Sequence, residues 1–191
     1  MHNINGLRSN NQKIESLYQW LLDNRIDIIG LAETNITTKE GGFLTKNLGN
    51  YRSFWSNANP DKKKGSGVGL LINSQWERHL EQIDRTNEYM ISAKFMFKQA
   101  EIIVIMVYLP PNDKEMRKKI QRTIIKKYTK RLLRTQIIVM GDFNSVVDID
   151  LDRSSKTKKK QPKTNPLLSW LERQDFKDSF RLKNSRSKEF L

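Results

Sequence analysis

Ile137-Ile138-Val139-Met140-Gly141-Asp142-Phe143-Asn144 is the stretch on which the fold turns. Its four leading apolar residues have the length and make-up of a buried strand. The run ends in an acid and an amide, Asp142 and Asn144, which alternation along an extended chain points the same way. A carboxylate and a carboxamide at the carboxyl end of a buried strand can hold a water or a metal, and in open α/β sheets ligands bind at that end. Asp, Asn and Gly are also what a strand-to-loop turn selects for its own geometry. Upstream residues have to decide between the two.

Asp27-Ile28-Ile29-Gly30-Leu31-Ala32-Glu33 is a second strand of the buried parallel type, and it places Glu33 where the first places Asp142. A solvated rim carboxylate would look the same in isolation; two acids at equivalent strand ends argue for a shared site. Before it, Ile14, Leu17, Tyr18 and Leu21 keep the i, i+3, i+4, i+7 spacing of an amphipathic helix ending near Asn24. Met1 to Gly6 reads as the tail of a strand in which Asn3 and Asn5 share a face, so the first third is a βαβ unit. A polar loop is expected after Thr34-Asn35.

Tyr51 to Ile72 reads as strands joined by a polar, glycine-containing loop, whose spacing fits neither Gly-x-Gly-x-x-Gly nor a P-loop. Tyr89 to Phe97 alternates as a half-buried strand, and Lys98-Gln99-Ala100 turns it back into Glu101 to Tyr108. That hairpin is antiparallel, so the sheet is mixed. Tyr108 at the strand end suits either the core or a site, and its hydroxyl needs a partner. Asn112 with Glu115 predicts a capping box for a helix reaching about Arg134, with Met116, Ile120, Ile124, Tyr128 and Leu132 as its apolar stripe. Asn165-Pro166 starts a further short helix. His79 is expected in an exposed strand, and two histidines in all argue against a His-based metal cluster.

A chain of 191 residues suits one well-packed domain, 1–191. No apolar run approaches the roughly 20 residues of a membrane span, and the amino terminus lacks the basic head and apolar stretch of a secretory signal. Cysteine is absent, which excludes disulfides and thiolate metal sites. The 35 Lys and Arg against 21 Asp and Glu leave +14. An excess of that size points to a polyanion, most simply nucleic acid, and an anionic membrane surface would also satisfy it. One ladder, Lys114, Lys118, Arg122, Lys126, Lys130 and Arg134, reads as the solvated face of a helix. The better candidates for a phosphate backbone are Arg153, Lys156, Lys158, Lys159 and Lys160, in a cationic run that follows the Asp142 strand.

Asn-Ile-Asn-Gly-Leu-Arg at 3–8, Leu-Ala-Glu-Thr at 31–34, Val-Tyr-Leu-Pro-Pro-Asn at 107–112 and Gly-Asp-Phe-Asn at 141–144 occur in that order. The set resembles the endonuclease/exonuclease/phosphatase superfamily, which includes exonuclease III, apurinic/apyrimidinic endonucleases and deoxyribonuclease I. Asp150-Leu151-Asp152-Arg153-Ser154 and the basic residues after it look most like the endonuclease domains of non-LTR retrotransposons. The resemblance implies an α/β fold, a four-layer sandwich of two mixed sheets flanked by helices. It implies Mg²⁺ as cofactor, with Glu33 as principal ligand and Asn5 in support. Asp142 would activate water with Asn144 beside it, Tyr108 would contact the scissile phosphate, and Asn3 would hydrogen-bond within the site. DNA is the implied partner, with a reverse transcriptase region of the same element, and the implied setting is intracellular, nuclear if genomic DNA is the substrate.

The family's late Asp strand and terminal Ser-Asp-His have no counterpart here. A domain truncated at both ends, lacking its final strands and of doubtful activity alone, is therefore the expectation. A basic nucleic-acid-binding remnant and a phosphatase for another ester stand beside the nuclease as alternatives.

Overall fold

In the computed structural model, which describes residues 1–8, 11–62, 64–128, 134–145 and 165–184, two four-stranded sheets lie face to face between layers of helix. The first sheet has the order β1 (His2–Asn3), β2 (Ile28–Ala32), β4 (Val68–Asn73), β3 (Tyr51–Trp55), and the second runs β5 (Leu80–Asn87), β6 (Met90–Met96), β7 (Glu101–Tyr108), β8 (Thr135–Asp142). Both are mixed: β1 and β2 are parallel, as are β7 and β8, and the other neighbours are antiparallel. The parallel pairs are the two that need crossover helices. Helix α1 (Asn11–Asp23) joins β1 to β2, and α4 (Lys114–Tyr128) lies between β7 and β8 in the chain. The four-layer sandwich implied by the motifs is the architecture found.

Two cores result. Ile14, Leu17 and Leu21 of α1 pack with Ile29, Leu31, Tyr51, Trp55 and Leu71 outside the first sheet. The larger core lies between the sheets and continues to α4 and α5 (Pro166–Arg173), taking in Ala32, Leu70, Met106, Ile120, Ile124 and Trp170. Gly30 shows which way the strands face. A Cβ there would collide with the Met106 sulfur and crowd that of Met140, so Met106 and Met140 point from the second sheet towards the first. Two residues further on, Tyr108 and Asp142 point the same way.

Several expectations need correction. The 137–144 strand is half-exposed at the edge of its sheet, not buried on both faces, and Ile138 is 46% exposed. Its apolar run reflects one covered face plus an open edge. Met90 to Ala93 is buried on both faces because the first sheet covers one side and helix the other. The segment after Asn35, expected as a polar loop, contains α2 (Thr38–Leu44), whose N-terminus is a full capping box: Thr37 Oγ1 accepts from the Glu40 N–H, and Glu40 accepts from the Thr37 N–H. Asp113, not Asn112, caps α4, its Oδ1 accepting from the Met116 N–H at 2.9 Å. Arg134 is not helical; it precedes β8 and accepts from Glu101 N–H. His79 sits in a turn after the short α3 (Ser74–Glu77), half-buried with its ring 4.3 Å from that of Phe97. Strand β5 passes unnoticed in the sequence because its residues are mostly polar.

Candidate active site

The carboxyl ends of β1, β2, β7 and β8 meet where the inner faces of the sheets open to solvent. Asn3 is in register with Ala32, which faces the second sheet, so Asn3 faces it too. Alternation alone would send Glu33 with Leu31 towards α1. The backbone at Glu33 instead takes φ +53°, in the left-handed region that costs a non-glycine residue about 1 kcal/mol or more. With that turn its carboxylate reaches the inner side, where Oε1 accepts from Asn3 Nδ2 at 2.9 Å. The same nitrogen donates to Asp142 Oδ2 at 3.2 Å. One amide thus bridges acids from two sheets, and their oxygens are no further apart than two hydrogen bonds laid end to end.

Tyr108 lies beneath them, 3% exposed and in register with Asp142. Burial raises its pKa, helped by its hydrogen bond with Glu33 and by the negative charge of Glu33 and Asp142. The phenol keeps its proton at neutral pH and serves as a donor. Left-handed backbone recurs round this rim, at Asn5 (φ +47°), Glu33, Asn35 (φ +54°) and Asn144 (φ +45°), as strained conformations tend to do where a fold aims side chains at a site.

The left-handed turns also correct two pairings. β1 ends at Asn3, so Asn5 does not share its face by alternation; the Asn5 N–H instead donates to Asn3 Oδ1 at 3.1 Å and fixes that amide's orientation. Asn144 does not continue β8 beside Asp142. Its N–H donates to Asp142 Oδ1 at 3.0 Å, while its carboxamide donates to the Leu109 carbonyl at 2.9 Å and ties the ends of β7 and β8 together. The structure therefore brings Asn3, Glu33, Tyr108 and Asp142 together, with Asn5 and Asn144 bracing the group. Arg153, Lys156, Lys158, Lys159 and Lys160 lie outside the described residues.

Three cations that support this rim escaped the sequence. Lys13 donates to the carbonyls of Ile4, Asn5 and Gly6, holding the turn after β1. Arg117 donates to the carbonyl of Phe143 at 3.2 Å and to Ser145 Oγ at 2.9 Å. Asn165 Nδ2 also donates to Ser145 Oγ, and Gln121 donates to Asn165 Oδ1 at 2.7 Å. The signal was available: Arg117 stands one turn before the buried Gln121, on the inner row of α4. Lys62 donates to Tyr89 Oη at 2.7 Å, a bond that raises its pKa, and the Tyr89 ring is 6.2 Å from that of Tyr108.

Among the described residues no group of three His, Cys, Asp or Glu side chains is placed to hold a metal. Two carboxylates nevertheless converge here, and no described Lys or Arg forms an ion pair with either. Few carboxylates, oxygen donors only and an open face are the conditions under which Mg²⁺ binds while keeping most of its water.

The profile of the endonuclease/exonuclease/phosphatase family matches residues 2–184. The chain belongs to that family. Solved structures of similar fold include the Xenopus laevis APE2 catalytic domain (TM-score 0.69, 20% identity, 97% of this chain and 72% of that one). The human Nocturnin catalytic domain with bound sulfate anion is another (0.63, 14%, 100% and 75%). A third is D. rerio TDP2 complexed with single strand DNA product (0.54, 18%, 78% and 60%). The chain thus spans less than two thirds of the TDP2 structure's length. No curated protein matches the chain in sequence. At these identities the likeness establishes the fold, and in this member of the family the sheets open onto Asn3, Glu33, Tyr108 and Asp142.

Proposed function

We propose that the chain hydrolyses phosphodiester bonds of DNA with Mg²⁺, as an endonuclease of the non-LTR retrotransposon type. The observation that carries this is the Asn3 amide shared between Glu33 and Asp142. It holds two acids from separate sheets at one open rim, with a protonated phenol beneath. Glu33 would be the principal ligand for the ion, with Asn5 in support, and a bound Mg²⁺ would supply charge neutralisation at the phosphate.

The chain's own groups do the rest. Tyr108, whose hydroxyl is hydrogen-bonded to Glu33 in the free protein, turns its single hydrogen to a non-bridging phosphate oxygen when the substrate is bound. Asp142 orients a water in line with the scissile bond and takes its proton as the oxygen attacks phosphorus, while the leaving oxygen departs from the opposite side with the electron pair of the broken P–O bond and takes a proton from solvent water. Asn3 keeps the two carboxylates apart and correctly turned, and Asn144 holds the end of β8 in place. DNA as substrate is supported by the +14 charge and by a relative of this fold seen with a DNA product. The retrotransposon type rests on the run 150–154 and the basic residues after it, with Arg153, Lys156, Lys158, Lys159 and Lys160 proposed to bind the backbone. A reverse transcriptase of the same element is the proposed protein partner.

The test is nicking of supercoiled plasmid in Mg²⁺ by the wild type and by Glu33→Gln and Asp142→Asn. Nicking by the wild type that both substitutions abolish supports the nuclease. Salt-sensitive binding without nicking leaves the basic remnant as the reading to adopt.

A further inference from the structure

Beside the rim lies a second feature that hydrolysis does not use. Past their strands, β1 and β2 stay paired: the Gly6 N–H donates to the Glu33 carbonyl at 2.7 Å and that of Leu7 to Thr34 at 2.9 Å. This doubled track ends in a groove of about 400 Å³ lined by Arg8, Ile36, Lys39, Glu40, Phe43 and Leu44. Arg8 is five residues from Asn3 and Ile36 three from Glu33, so the groove lies within about 18 Å of the site along either strand.

Its chemistry is uneven in a way that a solvated helix face does not require. Phe43 is 76% exposed, the most exposed large apolar side chain among the described residues, on a seven-residue helix whose other aromatic neighbour, Trp55, is buried. Gly41 lets the helix sit flat on that Trp55 ring, since a Cβ there would collide with the indole. The packing thereby aims Phe43 outward. Arg8 and Lys39 are both exposed and bring positive charge to the groove. The single acid, Glu40, is engaged by the Thr37 N–H, and that bond lowers its pKa. An aromatic face flanked by cations is what binds unpaired nucleic acid, since every base can stack and every phosphate can pair.

We propose that this groove seats an unpaired nucleotide of the DNA strand leading away from the scissile phosphate, its base stacked on Phe43 and its phosphate held by Arg8 and Lys39. This rests on the nuclease reading for the identity of the strand, but not for the binding itself. The protein acts on DNA that is frayed or single-stranded next to the cut, and fully paired DNA leaves the groove empty.

The experiment measures binding of labelled duplexes, fully paired or carrying a short unpaired tail of either polarity, by fluorescence anisotropy in chelator so that nothing is cut. Phe43→Ala is expected to weaken binding of a tailed duplex by about five- to hundredfold, the range for one lost base–aromatic stack, while the paired duplex binds as before. Phe43→Trp is expected to restore tailed binding. Equal losses on paired and tailed DNA, no loss on either, or no rescue by Trp overturns the proposal. Phe43 is solvent-exposed, so a circular dichroism melt of Phe43→Ala matching the wild type confirms that folding is not what is being read. If plasmid nicking fails while the tailed-duplex selectivity holds, hydrolysis is wrong and the groove stands; the reverse pattern removes the groove alone.

Discussion

Asn3 and Tyr108 are neutral residues placed between charges, and their properties follow from that. The Tyr108 phenol is harder to ionise in the folded protein than in the unfolded chain, where it titrates near pH 10. A pKa raised by folding contributes stability that is complete below the unfolded value and lost as pH rises through the folded one. Tyr108→Phe removes that dependence. Urea melts at about pH 8 and about pH 11 should show the wild type losing more stability between the two than the variant. An equal loss would mean that burial and the two carboxylates do not act on this hydroxyl. At this scale the sequence was informative about identity and poor on direction. Asn3, Glu33, Tyr108 and Asp142 could each be picked out, since acids and amides at strand ends are conspicuous. That Asn5 leaves the strand and braces Asn3 through its own N–H, and that Asn144 turns its carboxamide to the Leu109 carbonyl, depends on positive φ at non-glycine positions, for which alternation has no signal.

At the scale of elements, the site depends on how closely β8 can approach β7. Gly141 is paired with Val107, and a Cβ at Gly141 would run into the Val107 carbonyl oxygen, a backbone atom that no rotamer change can move. Gly141→Ala should cost about 1–3 kcal/mol as an overpacked position and displace Asp142, the next residue. Denaturation and nicking should fall together; a variant of normal stability would show that the pairing is looser than described. Helices and strands with a strong period were legible: α1, α5, β2, β7 and the 98–100 hairpin lie where apolar spacing and turn residues put them. Two elements were not. α2 carries only one buried residue, Gly41, so it lacks an apolar stripe, although Thr37 and Glu40 spelled out its capping box. β5 is a polar edge strand whose partner, not its own composition, makes it a strand.

For the whole molecule, the antiparallel hairpin was enough to predict a mixed sheet, while the division into two sheets came from the resemblance of the motifs; the register of β7 with β8 and of β1 with β2 shows why their ends coincide. The burial of β8 was misjudged because a four-residue apolar run looks alike in a central strand and at a half-covered edge. Net charge acts at this scale too. Replacing Lys158, Lys159 and Lys160 together should weaken DNA binding and flatten the dependence of log affinity on log salt, by up to about 0.9 per lost phosphate contact. An unchanged slope would assign those lysines to solvent.

The most direct measurement is a double-substitution cycle on plasmid nicking, comparing Glu33→Gln, Asp142→Asn and the pair together. Groups that act as one unit lose their effect together, so the double variant should be no slower than the slower single one. Losses that multiply would mean that Glu33 and Asp142 work apart, and would contradict a single site shared through Asn3.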